Sequence, residues 1–453
     1  MQQSSNLKNT IFAPITSIHS SAVTVIRISG SKTKYCLNAL GIKNNLNPRQ
    51  ISLQKIIINQ NLIDEALIVF FNAPNSFTGE DIAEISIHSS PFILQQITSC
   101  LLTIPSVFLA LPGEFSKQAF YNNKLDLVQA EAIVDLINSE TAIQHQQALN
   151  QMRGGLSTIY FQWRQNLLEI SSLLTAIIDF PEDDLPQELQ QNIDQQIHHL
   201  TSNIQEHLND NLIGQKIKDG LSLAIIGSPN VGKSSLINHL SNSEVAIVSP
   251  YAGTTRDVIE VHLHIADIMV KIADTAGIRN SKNAIEKIGI TKSLQKAKTS
   301  DLKILVLDAT NPKLPKNFTS EFLPKNTLIV INKIDQEKSY KLMKILSLLQ
   351  KKQFDVIEIS LLQNINILNL KQALHHKVKN IIPSTCNNLI TNQRYRLALQ
   401  NTLQALQNFC LLPYPEIAFE NLRIASNELG FITGKITNEN LLDQIFTKFC
   451  IGK

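Results

Sequence analysis

One run of eight residues constrains this chain more than any other: Gly227-Ser228-Pro229-Asn230-Val231-Gly232-Lys233-Ser234, a G-x-x-x-x-G-K-[ST] pattern. The apolar run Leu221 to Ile226 before it reads as a strand. Ser235-Leu236-Ile237-Asn238-His239-Leu240 after it has the spacing of an amphipathic helix. That order is what a phosphate cradle needs. Glycines let backbone N–H groups curl around phosphate oxygens, and the positive end of the following helix faces the same anion. Lys233 reaches the outer phosphates and the Ser234 hydroxyl suits Mg²⁺. Asn230, Val231, Gly232, Lys233, Ser234 and Ser235 are therefore candidate phosphate contacts. The strand–loop–helix context predicts a doubly wound α/β module around them.

Three later segments narrow the nucleotide to GTP. Gly253-Thr254-Thr255-Arg256-Asp257 supplies Thr255, a second hydroxyl able to complete the Mg²⁺ shell. Asp274-Thr275-Ala276-Gly277 follows the strand-like Ile268 to Ile272, placing a carboxylate near Mg²⁺ and a glycine N–H near the γ-phosphate. Asn332-Lys333-Ile334-Asp335 follows Thr327 to Ile331 and reads as the guanine selector. A carboxylate at Asp335 can accept from guanine N1–H and the 2-amino group, which adenine lacks. Ser360, after Val356 to Ile359, holds the last base-contact position, with Leu361 where alanine is usual. A Ras-like switch carries a water-orienting glutamine after D-x-x-G; this chain has Ile278 there. Asn230, with Ser249-Pro250-Tyr251-Ala252 ahead of Gly253-Thr254, resembles GTPases that hold K⁺ beside the β- and γ-phosphates. Asn230, Ser249, Tyr251 and Thr254 are the K⁺ candidates, although Asn230 also suits a plain turn. Such a cation would offset developing charge as an arginine finger does.

At 453 residues, 43% hydrophobic, the chain is long enough for two to four cored domains. Charged residues are only 17% and the formal net charge is +3, so composition identifies no anionic partner. No run of about 18 apolar residues exists, so no membrane span is expected. The first residues, Met1-Gln2-Gln3-Ser4-Ser5-Asn6, lack the features of a secretory or transit segment. Cys36, Cys100, Cys386, Cys410 and Cys450 are scattered, without metal-ligand spacing, which suits a reducing compartment. A cytoplasmic location is expected. The tail Cys450-Ile451-Gly452-Lys453 fits C-a-a-X in form, but Gly and Lys are poor choices for prenylation.

Periodicity divides the chain further. Residues 1–121 read as mixed α/β, with strand-like Val23 to Ile28, Ala66 to Phe71 and Ile82 to His88, and a helix start at Ser90-Pro91. From Leu125 to Phe180 apolar residues fall at helical spacing, Leu125 to Leu136 and, after a turn, Leu167 to Ile177, and a Gln-rich polar helix follows to about Leu212. The βα module then runs to about residue 380, and Asn392 to Phe449 is helical again. Neither helical flank can bury an apolar face alone. The expected organisation is an N-terminal domain (1–121), a helical domain in two parts (122–219 and 382–453), and a GTPase module inserted between them (220–381).

The ordering resembles the MnmE (TrmE) family of tRNA-modification GTPases, over essentially the whole chain. It includes Val25-Ile26-Arg27-Ile28-Ser29-Gly30, Pro74-Asn75-Ser76-Phe77-Thr78-Gly79-Glu80-Asp81, Pro112-Gly113-Glu114-Phe115-Ser116, Asn123-Lys124-Leu125-Asp126-Leu127 and Phe449-Cys450-Ile451-Gly452-Lys453. The resemblance implies an α/β multidomain protein with an α+β N-terminal domain that dimerises and binds 5,10-methylene- or 5-formyl-tetrahydrofolate. By position Arg27, Glu84, Lys124 and Lys453 match folate contacts, and surface ion pairs remain the plainer role for Arg27 and Lys124. Glu286, in Ile285-Glu286-Lys287-Ile288-Gly289, matches the glutamate that orients water in place of the missing glutamine; a solvated helix charge is the alternative. Cys450 matches a terminal cysteine able to act as nucleophile, or simply to pack. The family works as a homodimer with an FAD-dependent MnmG partner, as a heterotetramer, and adds a carboxymethylaminomethyl-type group at C5 of the wobble uridine of tRNA. The resemblance also implies glycines near Thr16 to Ser21 and at Ser89-Ser90, where this chain has side chains. A ribosome-assembly or signalling switch without modification chemistry is the alternative function.

Overall fold

A computed structural model describes residues 9–16, 21–42, 46–179, 187–241, 261–272, 299–315, 318, 322–382, 388–411, 414–436, 439–450 and 452. They fall into two compact units. One comprises residues 1–137, 151–200 and 401–453; the other comprises 138–150 and 201–400.

The first unit is built on a six-stranded mixed sheet. Strands β1 (Thr10–Pro14), β2 (Val23–Ser29), β3 (Ser52–Ile58), β4 (Asn61–Phe71), β5 (Ile82–His88) and β6 (Val107–Leu109) lie in the order β3-β4-β5-β2-β1-β6. Alternation puts Ile26, Ile28, Ile56, Ile68, Ile85 and Ile87 on one face. There they bury against Cys36 and Leu37 of α1 (Thr33–Ala39) and Ile97 and Leu101 of α2 (Pro91–Leu102). Further helices of this unit are α3 (Glu114–Tyr121), α4 (Leu127–Ile137), α6 (Gly155–Asp179), α13 (Pro415–Thr433) and α14 (Glu439–Phe446), with α6 packed along α13. Leu127 and Ala130 of α4 share a core with Leu442, Ile445, Phe446 and Phe449, so residues more than 300 apart in sequence meet there.

The helical stretch expected from Leu125 to Phe180, with one turn between Leu136 and Leu167, is three helices: α4, α5 (Ala142–Met152) and α6. Local hydrogen bonding explains the starts. The Asp126 carboxylate accepts from Gln129 N at 2.9 Å while the Gln129 side chain accepts from Asp126 N at 3.0 Å. Thr141 and Gln144 repeat this reciprocal capping box at α5.

The second unit is a doubly wound α/β module. Strands β7 (Leu221–Ile226), β8 (Val261–Ile265), β9 (Ile268–Ile272), β10 (Leu302–Asp308), β11 (Thr327–Asn332) and β12 (Asp355–Glu358) lie in the order β12-β11-β10-β7-β9-β8, parallel except for the β8–β9 hairpin. Alternate residues of the central strands feed two cores. Leu223, Ile304, Val306, Leu328 and Val330 face α9 (Lys233–Ser241) and α11 (Ile367–Ile381). Ala224, Leu305, Leu307, Ile329 and Ile331 face α10 (Tyr340–Lys351). Burial on both faces is why these strands read as unbroken apolar runs. Helices α7 (Gln187–Leu208), α8 (Ile213–Asp219) and α12 (Gln393–Gln407) complete the described α-helices. No helix among the described residues is long and apolar enough to cross a membrane.

Candidate functional site

The loop between β7 and α9 depends on two glycines. A Cβ at Gly227 would lie 2.4 Å from the Val306 carbonyl of β10, and one at Gly232, where φ is +101°, would lie 2.4 Å from the Asn332 amide nitrogen. Neither position admits a side chain, which lets the loop turn tightly over the carboxyl ends of the strands. Asn230 takes φ +62° and is exposed. The Lys233 ammonium folds onto the carbonyls of Gly227 at 2.9 Å and Ser228 at 2.8 Å. Burial pushes its pKa below the ordinary lysine value. Ser234 and Ser235 lie exposed in the first turn of α9.

The end of β11 brings the base-reading segment to this loop. Asn332, 4% exposed, donates its amide to the Val231 carbonyl at 2.8 Å and accepts from Leu361 N at 3.2 Å. Lys333, at φ +69°, donates to Asp308 at 2.6 Å. Burial pushes the Asp308 carboxyl up, but hydrogen bonds from Lys333 and Thr310 outweigh it and hold the pKa below the ordinary carboxylate value. Asp335 Oδ1 is buried and has no hydrogen-bond partner among the described residues. Ser360 is fully buried; its N–H donates to the Ile365 carbonyl at 3.3 Å and its hydroxyl accepts from Gln363 N at 3.1 Å. Val231, Gly232, Lys233, Asn332, Lys333 and Ser360 thus surround one end of the parallel sheet. Ser249, Pro250, Tyr251, Ala252, Gly253, Thr254, Thr255, Asp274, Thr275, Ala276, Gly277 and Glu286 lie outside the described residues.

A second constellation forms in the other unit. Arg27 and Glu84 are partners in the β2–β5 register, and Arg27 donates through Nε and Nη2 to Glu84 Oε1 at 3.0 and 2.8 Å. Its guanidinium lies 5.5 Å from the Phe77 ring and 5.6 Å from the Phe115 ring. Arg27 Nη1 donates to the Gly452 carbonyl at 3.4 Å, which docks the tail beside the pair. The Lys124 stem runs over Gly79, in the same loop as Phe77. Cys450 is exposed, and Lys453 lies outside the described residues. The serines in place of glycine hydrogen-bond locally: Ser21 Oγ donates to the Val23 carbonyl at 2.7 Å, and Ser89 Oγ meets Thr24 Oγ1 at 2.8 Å.

Sequence reasoning did not assign Asp308, Phe77 or Phe115 to a site. Asp308 closes an apolar strand with a carboxylate at its carboxyl end, a readable signal. The two phenylalanines sit inside quoted motifs, yet nothing in the sequence says that they flank one arginine.

Comparison with known proteins finds likeness in both units. The family described as MnmE helical domain matches residues 127–450, and the family described as GTP-binding protein TrmE N-terminus matches residues 10–124. The tRNA modification GTPase MnmE of Rickettsia bellii (strain OSU 85-389) is 42% identical over 448 residues, covering 98% of this chain and 100% of that one. The chain belongs to the MnmE family of tRNA modification GTPases. The protein of the same name in Rickettsia prowazekii (strain Madrid E) is 41% identical over 450 residues, covering 98% of this chain and 100% of its own. Likeness to the MnmE family therefore spans both units.

Proposed function

We propose that this chain hydrolyses GTP with Mg²⁺ and K⁺ and couples that hydrolysis to a one-carbon-dependent addition at C5 of the wobble uridine of tRNA. The observation that carries the guanine assignment is Asp335. A buried acceptor left without a donor costs about 1–3 kcal/mol, and guanine offers two donors on one edge. Asn332 holds the selector segment against the phosphate loop, so base recognition and phosphate binding share one framework. The half-buried Lys233 ammonium, held among the described residues by carbonyl oxygens, is poised to exchange them for phosphate oxygens.

Ser234 and Thr255 would hold Mg²⁺, a hard cation matched to hydroxyl and phosphate oxygens. Asn230, Ser249, Tyr251 and Thr254 would hold K⁺, which neutralises charge developing between the β- and γ-phosphates. The exposed Asn230 side chain fits that role. Glu286 orients the attacking water through a second water, since Ile278 has no polar head.

The constellation around Arg27 supports tetrahydrofolate binding. Arg27, Lys124 and Lys453 offer positive charge to its glutamate carboxylates, Glu84 suits the pterin edge, and Phe77 and Phe115 supply apolar walls. The bound folate supplies the one-carbon unit. The docked Gly452 keeps the exposed Cys450 thiol two residues from this site, where it serves as nucleophile. The working assembly is a homodimer joined to an FAD-dependent MnmG-type partner in a heterotetramer, with FAD on the partner, acting on tRNA in the cytoplasm.

Asp335→Asn tests the guanine assignment. An amide donor there suits xanthine, whose 2-oxo group accepts where guanine's 2-amino group donates. GTP affinity should fall at least about tenfold and XTP should become the preferred nucleotide, a change of about 1.4 kcal/mol per decade. Unchanged GTP preference would remove Asp335 from base recognition.

A further inference from the structure

Helix α10 has an inner face and a strongly basic outer one. Leu342 and Leu349 are buried and, with Ile345 and Leu346, pack onto the sheet. At about 3.6 residues per turn, Tyr340, Met343, Lys344, Leu348 and Lys351 share the opposite side, with Lys341 and Lys352 along its margin. All seven are exposed, Tyr340 at 78% and Met343 at 68%. The helix contains no acidic residue. Lys341, Lys344, Lys351 and Lys352 have no carboxylate partner among the described residues, whereas Lys338, just before the helix, pairs with Glu358. Lys344 instead lies 5.3 Å from the Tyr340 ring centroid.

A merely solvated helix face usually interleaves acids with its lysines, because like charges one turn apart repel and opposite charges attract. The whole chain is close to balanced, with 41 basic and 38 acidic residues, so four lysines without an acid depart from its own composition. At about 1.5 Å per residue the four span about 16 Å, a length suited to several phosphates of one strand. Lysine meets phosphate as a point charge, and an exposed tyrosine beside it offers a face to an unstacked base.

From this charge complementarity we infer that the outer face of α10 is a docking surface for the phosphate backbone of tRNA. The inference rests on the reading that this chain acts on tRNA and adds where the GTPase module touches it. None of these residues belongs to the nucleotide site.

The test uses the full chain and bulk tRNA in equilibrium binding across a range of salt concentrations. The fourfold variant Lys341→Gln, Lys344→Gln, Lys351→Gln, Lys352→Gln should bind at least about tenfold more weakly at 0.1 M salt, a concentration near the lower end of the usual comparison range. Its slope of log K against log salt should be shallower by about three, at roughly 0.7–0.9 per lost contact. Arginine at the same four positions should retain wild-type binding, and GTP turnover should be unchanged in both variants. Wild-type affinity and slope in the glutamine variant would overturn the inference, as would a loss that arginine does not prevent. No binding by the wild-type chain at any salt would instead overturn the reading on which the inference rests.

Discussion

The Asn332 side chain donates to the backbone carbonyl of Val231 at 2.8 Å, across 101 residues of sequence. The same side chain accepts from Leu361 N at 3.2 Å. One buried amide therefore joins the phosphate loop, the guanine selector and the segment after β12. Its geometry explains why an asparagine stands at the head of the Asn332-Lys333-Ile334-Asp335 run, whose fourth residue carries the base-reading carboxylate.

Asn332→Ala should therefore weaken GTP binding by loosening the phosphate loop from the selector segment. It leaves Val231 O and Leu361 N without their partner, a loss of about 1–3 kcal/mol for each buried group. GTP affinity should fall roughly ten- to a hundredfold, read by titration with a fluorescent GTP analogue. Wild-type affinity would show that the phosphate loop keeps its shape without this strut.

The nucleotide module was the most legible part of the sequence, because its strands are bracketed by fixed motifs. The read strands Ile268 to Ile272 and Thr327 to Ile331 match β9 and β11 to within one residue. Thr10–Pro14, Ser52–Ile58 and Val107–Leu109 are not legible in the sequence, since no phosphate- or base-binding motif brackets them as Asp274 to Gly277 brackets the equally short β9. The stretch from Leu125 to Phe180 is helical as its spacing implies, but it holds two breaks: one at the Thr141–Gln144 capping box and one at Gly154, where φ is +89°. At the sites, Arg27 and Glu84 were named separately. Their pairing follows from the β2–β5 register, a relation between distant strands that one sequence does not display.

Potassium should govern turnover, given Ile278 in place of a water-orienting glutamine and Asn230 in the phosphate loop. GTP hydrolysis is expected to be fast in K⁺ and slow in Na⁺ at equal ionic strength. An arginine finger is worth about 10³–10⁵ in rate, and K⁺ serves as its counterpart here. Glu286→Ala should slow hydrolysis while leaving GTP affinity nearly intact. Equal turnover in the two salts would contradict the cation's role, and a large affinity loss would give Glu286 a role in binding or folding.

Arg27→Ala should weaken 5-formyltetrahydrofolate binding by roughly ten- to a hundredfold, since a charge-assisted contact is worth about 1.5–3 kcal/mol. GTP turnover should persist, because Arg27 and the nucleotide site lie in different compact units. Calorimetric titration of the wild-type chain comes first. Absence of folate binding would show that the loops carrying Ser21 and Ser89 have closed the site.

Reconstitution tests the central claim most directly. The chain is combined with an FAD-dependent MnmG-type partner, tRNA, 5,10-methylenetetrahydrofolate, a nitrogen donor, GTP, Mg²⁺ and K⁺, and the tRNA nucleosides are then analysed by mass spectrometry. A C5-substituted wobble uridine should form with GTP and fail to form with a non-hydrolysable analogue. Cys450→Ser should keep GTP turnover and lose most of the modified nucleoside. Full GTP hydrolysis with the wobble uridine left unmodified by the wild-type chain would contradict the account.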